Sequence, residues 1–254
     1  KLAEGIDALV LDVKTGSGAF MKKEEDAVYL AELMVATGER MGKKMAALIT
    51  DMDQPLGRYV GNALEVVEVL EVLRGEGPAD LRDLCHELTA WMFLLGDRVR
   101  TVDEGKQLSE KLIRSGEALN KFREMVKLQD GDARAIDDPT RLPRAKNKVD
   151  VLSPRAGYVQ SIQCERAGTA CVILGGGRER KEDSVDPAVG FVLHKKVGDA
   201  VASSDPLCTI HYNSEALATR AKTLLLESFT IGDKAPATQR PLVHRAISKS
   251  GEKK

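Results

Sequence analysis

Residues 7–21 read "DALVLDVKTGSGAFM". The first half, "ALVLDV" at 8–13, is nearly all apolar, the composition of a strand buried on both faces in a helix-covered parallel sheet. The second half is a basic loop in which Gly16 and Gly18 open backbone angles closed to other residues and let a ligand come near. In an α/β sheet, ligands gather at the loops following the carboxyl ends of strands. The stretch therefore predicts both a fold class and a site. The bland alternative is a tight connection with an exposed lysine, and spacing alone leaves the two open. The loop is neither a GxGxxG fingerprint nor a Walker loop, so no nucleotide fold is licensed.

Outward from this stretch the pattern repeats. A helical stripe over 24–37 runs through Ala27, Val28, Leu30, Ala31, Leu33 and Met34, with Gly38 as its expected stop. "MAALIT" at 45–50 reads as a second buried strand. "NALEVVEVLEVLR" at 62–74 predicts a helix capped by Asn62 and ended by Gly75. Pro78 opens another helix, and two more are expected near 103–115 and 117–128. Strand, helix, strand, helix is the grammar of an α/β domain. Residues 137–150, "DDPTRLPRAKNKVD", carry two prolines, many charges and no apolar period, and read as a linker. Beyond it lie short β-type runs, "AGYVQSI", "GTACVILGGG", "VGFVLHK" and "PLCTIHY", and a closing helix near 214–227. The expected organisation is a helical-domain tail at 1–6, an α/β domain at 7–136, the linker, and a small α+β domain at 151–254.

Bulk properties exclude several classes. With 38 basic and 39 acidic residues among 254, no broad charged field invites nucleic acid. No apolar run approaches the roughly 20 residues that span a bilayer, and no signal peptide is visible. Cys85, Cys164, Cys171 and Cys208 lack CxxC spacing and read as reduced thiols of a cytoplasmic protein. His86, His194, His211 and His244 are scattered, so neither a metal set nor a triad can be argued from them. "GGGRERKED" at 175–183 resembles a phosphate cradle but reads better as a hairpin or bulge. The rhythm of "VGDAVASSDPLCTIH" is that of a biotinyl or lipoyl carrier, but Lys181 lies in "ERKED" rather than the setting such a carrier needs. The loop "DMDQPLGRYVG" offers backbone carbonyls near Leu56 and Tyr59, and Glu68 follows on the next helix. Carbonyls plus a carboxylate suit a hard cation, whereas the plainer reading is a solvated acidic face at Glu65, Glu68 and Glu71. The opening "KLAEGIDALV" starts without Met and enters mid-helix, the expectation for a piece of a longer polypeptide.

Taken in order, "KLAEGIDALVLDVKTGSGAFM", "ALITDMDQPLGRYVGNALEV", "LRDL", "AGYVQSI" with "VILGGGRERKEDSVDPAVGF", "GDAV" with "PLCTIH", and "DKAP" resemble the thymidine and pyrimidine-nucleoside phosphorylase family. The resemblance implies reversible phosphorolysis of thymidine or uridine to free base and pentose 1-phosphate. Inorganic phosphate is then the co-substrate, and the enzyme a homodimer with helical, α/β and C-terminal α+β domains. It also places the groups that grip phosphate upstream of Lys1. The Arg, Ser and Lys that grip the base lie there too, which leaves no catalytic residue within this chain. Lys1 matches the second lysine of the family's Ser-x-x-Ser-Lys-Lys. What carries over is Phe20, an apolar position near the pyrimidine, with Met21 beside it. A monovalent cation such as K⁺ is implied at Leu56, Tyr59 and Glu68. Lys14 is then structural or electrostatic. The alternative is a non-catalytic binding or assembly module of the same descent. A carrier domain at 150–212 is a weaker one.

Overall fold

A computed structural model describes residues 1–178, 180–237 and 240–248. A 3₁₀ turn at Leu2–Glu4 ends at Gly5. Then follow β1 (Ala8–Thr15), α1 (Glu24–Arg40), β2 (Lys44–Asp51), β3 (Tyr59–Val60), α2 (Asn62–Leu73), α3 (Ala79–Leu95), α4 (Val102–Arg114), α5 (Glu117–Leu128) and α6 (Arg134–Asp137). The later elements are β4 (Asn147–Leu152), β5 (Gly157–Ile162), α7 (Cys164–Cys171), β6 (Gly190–Leu193), β7 (Ala200–Val201), β8 (Pro206–Tyr212), α8 (Glu215–Ser228), β9 (Phe229–Gly232) and β10 (Val243–Ser248). These elements form two compact units that interleave along the chain. One is drawn from Lys1–Met52, Ala79–Glu117 and Arg240–Lys254, the other from Asp53–Pro78 and Ala118–Gln239.

The first unit holds a three-stranded sheet in the order β1-β2-β10, with β1 and β2 parallel and β10 antiparallel to β2. β2 is the strand buried on both faces. Met45, Ala47 and Ile49 pack on Ala27, Ala31 and Val35 of α1, while Ala46 and Leu48 pack on Trp91 and Leu95 of α3. β1 is half-buried over Ala8–Asp12, because it lies at the edge of the described sheet. Gly38 does not stop α1, which runs on to Arg40. A Cβ at Gly38 would lie 2.4 Å from Met45 Sδ, so the glycine is there for close packing of helix on strand.

In the second unit, the four-stranded sheet β3-β6-β8-β4 and the three-stranded sheet β7-β5-β9 share one core with α7 and α8. Phe191, Leu193, Leu207, Ile210, Val159 and Leu225 are its most buried side chains. Three expectations fail here. "GTACVILGGG" is not a strand: it spans the second half of α7 and a π-type turn at Val172–Gly176. Cys164, Ala167, Ala170, Cys171 and Leu174 are the buried positions, a helical period that the β-branched residues disguise. The glycines of "GGGRERKED" therefore leave a helix rather than a hairpin strand, and Gly175 takes φ 97°. Asn62 is not the cap of α2; Gly61 is, and its N–H donates to Glu65 Oε1 at 3.2 Å. The stretch expected as a linker holds a 3₁₀ turn at Pro139–Arg141 and the first part of β4.

Candidate functional site

In the first unit the loop after β1 is held by its backbone. Gly16 N–H donates to Met21 O (3.2 Å), Gly18 N–H to Met52 O (3.0 Å) and Met52 N–H to Thr15 O (2.7 Å). These bonds tie the loop to the carboxyl ends of both parallel strands. They also separate the two predicted residues. Met21 turns inward against the core around Ala27 and Ala31, while Phe20 is fully exposed, with a relative accessibility of 100%. A wholly exposed phenylalanine on a pinned loop costs hydrophobic free energy unless something covers it. Lys14 is spoken for: its ammonium donates to Asp12 Oδ2 at 2.7 Å, and Asp12 Oδ1 accepts from the Thr50 hydroxyl.

The same unit contains a cluster that the sequence does not announce. The side chain of His244 on β10 is 5% exposed; its Nδ1 lies 2.8 Å from Glu24 Oε2 and its Nε2 3.6 Å from Asp51 Oδ1. The Thr15 hydroxyl, on the neighbouring strand, is buried and makes no hydrogen bond among the described residues. Some 220 positions separate His244 from Glu24, and only the pairing of β10 with β2 brings them together. His86, by contrast, has the structural role expected of it, with Nδ1 2.8 Å from Ser109 Oγ.

The second unit carries the predicted cation loop. Glu68 is buried, at 3% accessibility, and is not part of a solvated acidic face. Its Oε1 accepts from the backbone N–H groups of Arg58 (2.6 Å) and Tyr59 (3.3 Å), so the loop folds around the carboxylate. Gly57 sits in the left-handed region at φ 66°, and a Cβ there would lie 2.4 Å from Glu68 Oε2. Lys196, from the turn after β6, donates its ammonium to the carbonyls of Pro55 and Gly57. Those carbonyls are not Leu56 and Tyr59, the pair expected to hold a cation. The Tyr59 hydroxyl donates to Glu71 Oε1 (3.1 Å), and burial, reinforced by that carboxylate, pushes its pKa up to about 12. No cluster of three His, Cys, Asp or Glu side chains forms a metal centre among the described residues. A cation here would rest on carbonyls and a single acid, a donor set that suits a weakly bound hard ion.

Three of the four thiols are raised above their ordinary value. Burial pushes Cys171 up to about 11 and Cys208 up to about 12, and raises Cys85 as well. All four cysteines are free, and no helix is long and apolar enough to cross a membrane among the described residues.

The parallel pair β1–β2, covered by α1 on one face and α3 on the other, is an α/β unit, and residues 1–119 match the glycosyl transferase family a/b domain. Residues 158–232 match the pyrimidine nucleoside phosphorylase C-terminal domain. The chain belongs to the pyrimidine-nucleoside phosphorylase family. It is 48% identical over 215 residues to a pyrimidine-nucleoside phosphorylase of Bacillus subtilis, covering 85% of this chain and 50% of that one. It is 47% identical to that of Geobacillus stearothermophilus, with the same coverage. Against that of Staphylococcus aureus (strain USA300) it is 44% identical over 248 residues, 98% of this chain and 57% of that one. The chain thus spans about half the length of these relatives.

Proposed function

We propose that this chain supplies the base-facing loop, the cation loop and the C-terminal domain of a pyrimidine-nucleoside phosphorylase acting on thymidine or uridine. In the reaction the C1′–N1 bond breaks, a phosphate oxygen bonds to C1′, and the base leaves with the electron pair and takes up a proton. Positive charge grows on the sugar and negative charge on the base in the transition state, so the site must exclude water and hold both partners in line. The observation that carries this reading is Phe20, fully exposed on a loop pinned to the carboxyl ends of β1 and β2. An apolar side chain there would face the pyrimidine, with Met21 as its inward support. The groups that grip phosphate and base would come from residues outside this chain. The enzyme would act as a cytoplasmic homodimer.

In the full-length enzyme, Phe20→Ala should raise KM for nucleoside about tenfold, roughly the value of one lost apolar contact, with a smaller change in kcat. An unchanged KM rejects the placement. A protein with no phosphorolysis at any nucleoside concentration is instead the binding module.

The second part of the reading is a K⁺ ion held by the Leu56 and Tyr59 carbonyls and Glu68. The buried carboxylate supports it. Replacing K⁺ by tetramethylammonium should lower the melting temperature of the native protein and leave Glu68→Gln unmoved. Equal shifts in both proteins would remove the cation from this loop.

A further inference from the structure

The second unit contains a cavity of about 670 Å³ that borders the cation loop at Tyr59 and has no role in the phosphorolysis chemistry proposed above. It lies on the face of the four-stranded sheet opposite the core. Its lining includes the apolar Leu64 and Val67 of α2 and Leu142 of the segment that follows the 3₁₀ turn. It also includes Arg144, and Lys148 and His211 side by side across β4 and β8. No carboxylate is among the lining residues. Neither Arg144 nor Lys148 makes a side-chain hydrogen bond or close ion pair among the described residues, although Arg144 lies near enough to Asp138 to help hold that carboxyl below its usual range. Two cations and several apolar side chains lining one concave surface suit a ligand with an anionic head and an apolar or planar body. The volume falls in the range of small organic ligands rather than of a bare ion.

We propose that this cavity binds a small organic anion of the phosphate-monoester class, its phosphoryl group between Arg144 and Lys148 and its body against Leu64 and Val67. Such a site belongs to the second unit alone and stands whether or not the protein is a phosphorylase. His211 is held neutral at physiological pH by burial and by Lys148, its pKa lowered to about 4, so it offers the head a hydrogen bond without a fixed charge.

The test is calorimetric titration of the full-length protein with phenyl phosphate, which carries no nucleoside. The expected result is a dissociation constant below about 1 mM, weakened about tenfold or more by Lys148→Met and by Arg144→Gln. Phenol, the body without the head, and inorganic phosphate, the head without the body, should each bind at least about tenfold more weakly at this site. Both replaced residues are exposed, and an unchanged melting temperature verifies that the variants fold. Absence of binding overturns the proposal. So does binding that neither variant weakens, or that inorganic phosphate displaces at equal strength, since that would locate the probe at a phosphate site elsewhere. A failure of Phe20→Ala to move KM would leave these outcomes untouched.

Discussion

His211 and Lys148 face each other across β8 and β4, and the pair makes a local stability argument possible. Burial first, and Lys148's charge second, hold the imidazole down to about 4 from its ordinary 6.5. Between those values the unfolded chain binds a proton that the folded chain refuses. Stability therefore rises with pH through that window: the full contribution is present above about 6.5 and is lost as pH falls toward 4. His211→Gln removes the titrating group. The melting temperature of the variant relative to the parent should improve on going from pH 7.5 to pH 4.5, and paired thermal melts would show it. A constant difference would mean the ring is solvated. Glu68 teaches the converse lesson at the same scale. Its sequence neighbours Glu65 and Glu71 made a solvated face the plainer reading, yet only a loop folded back by Gly57 decides which of the three acids is buried.

Among the elements, α1 shows where propensity and packing disagree. Glycine inside a helix costs about 1 kcal/mol against alanine, so Gly38→Ala should stabilise an isolated α1. In the folded unit the new Cβ would meet the Met45 side chain at 2.4 Å for Sδ and 2.7 Å for Cγ. Met45 is itself 95% buried, with a relative accessibility of 5%, so it has little room to retreat. Overpacking of this kind costs about 1–3 kcal/mol. Gly38→Ala should accordingly lower the urea midpoint, and adding Met45→Ala should recover part of the loss by making room. A Gly38→Ala protein more stable than the parent would show that the methionine simply swings aside. The contrast with α7 is instructive. There the buried positions follow a helical period, but Val172, Ile173 and three consecutive glycines imitate a strand running into a turn. A short amphipathic helix with cysteine and alanine as its apolar face gives too weak a periodic signal to outweigh that imitation.

For the molecule as a whole, the α/β grammar was readable because β1, α1, β2, α2 and α3 each carry a local pattern, whereas Phe20 and Met21 were named by family resemblance and the structure sends one to solvent and the other to the core. The interleaving of the two units was not readable, because it depends on contacts between distant segments. Residues 53–78 group with the C-terminal part of the chain, and residues from Arg240 onward return to the first unit as β10. β10 has no strong strand signature; "VHRAIS" mixes charge and apolar residues without a clean alternation. Its pairing is set by β2, which is so apolar that a second neighbour lowers its exposure. Val243 packs with Leu48 and Trp91 on one face, Ile247 with Ala47 and Ile49 on the other, and His244 hydrogen-bonds Glu24 and lies 3.6 Å from Asp51. Cutting the chain after Gln239 would remove that neighbour and leave β2 with one hydrogen-bonded partner among the described strands. An unpaired edge on a strand this apolar opens readily and favours edge-to-edge association. Amide exchange over 44–51 should accelerate at least about tenfold in the truncated protein, with a melting temperature lower by several degrees and greater aggregation. His244→Gln in the full chain should reproduce only part of the loss, because it breaks that hydrogen bond and keeps the ladder. If truncation left the exchange of β2 unchanged, the C-terminal strand would be a passenger, and the burial of β2 would rest on α1, α3 and β1 alone.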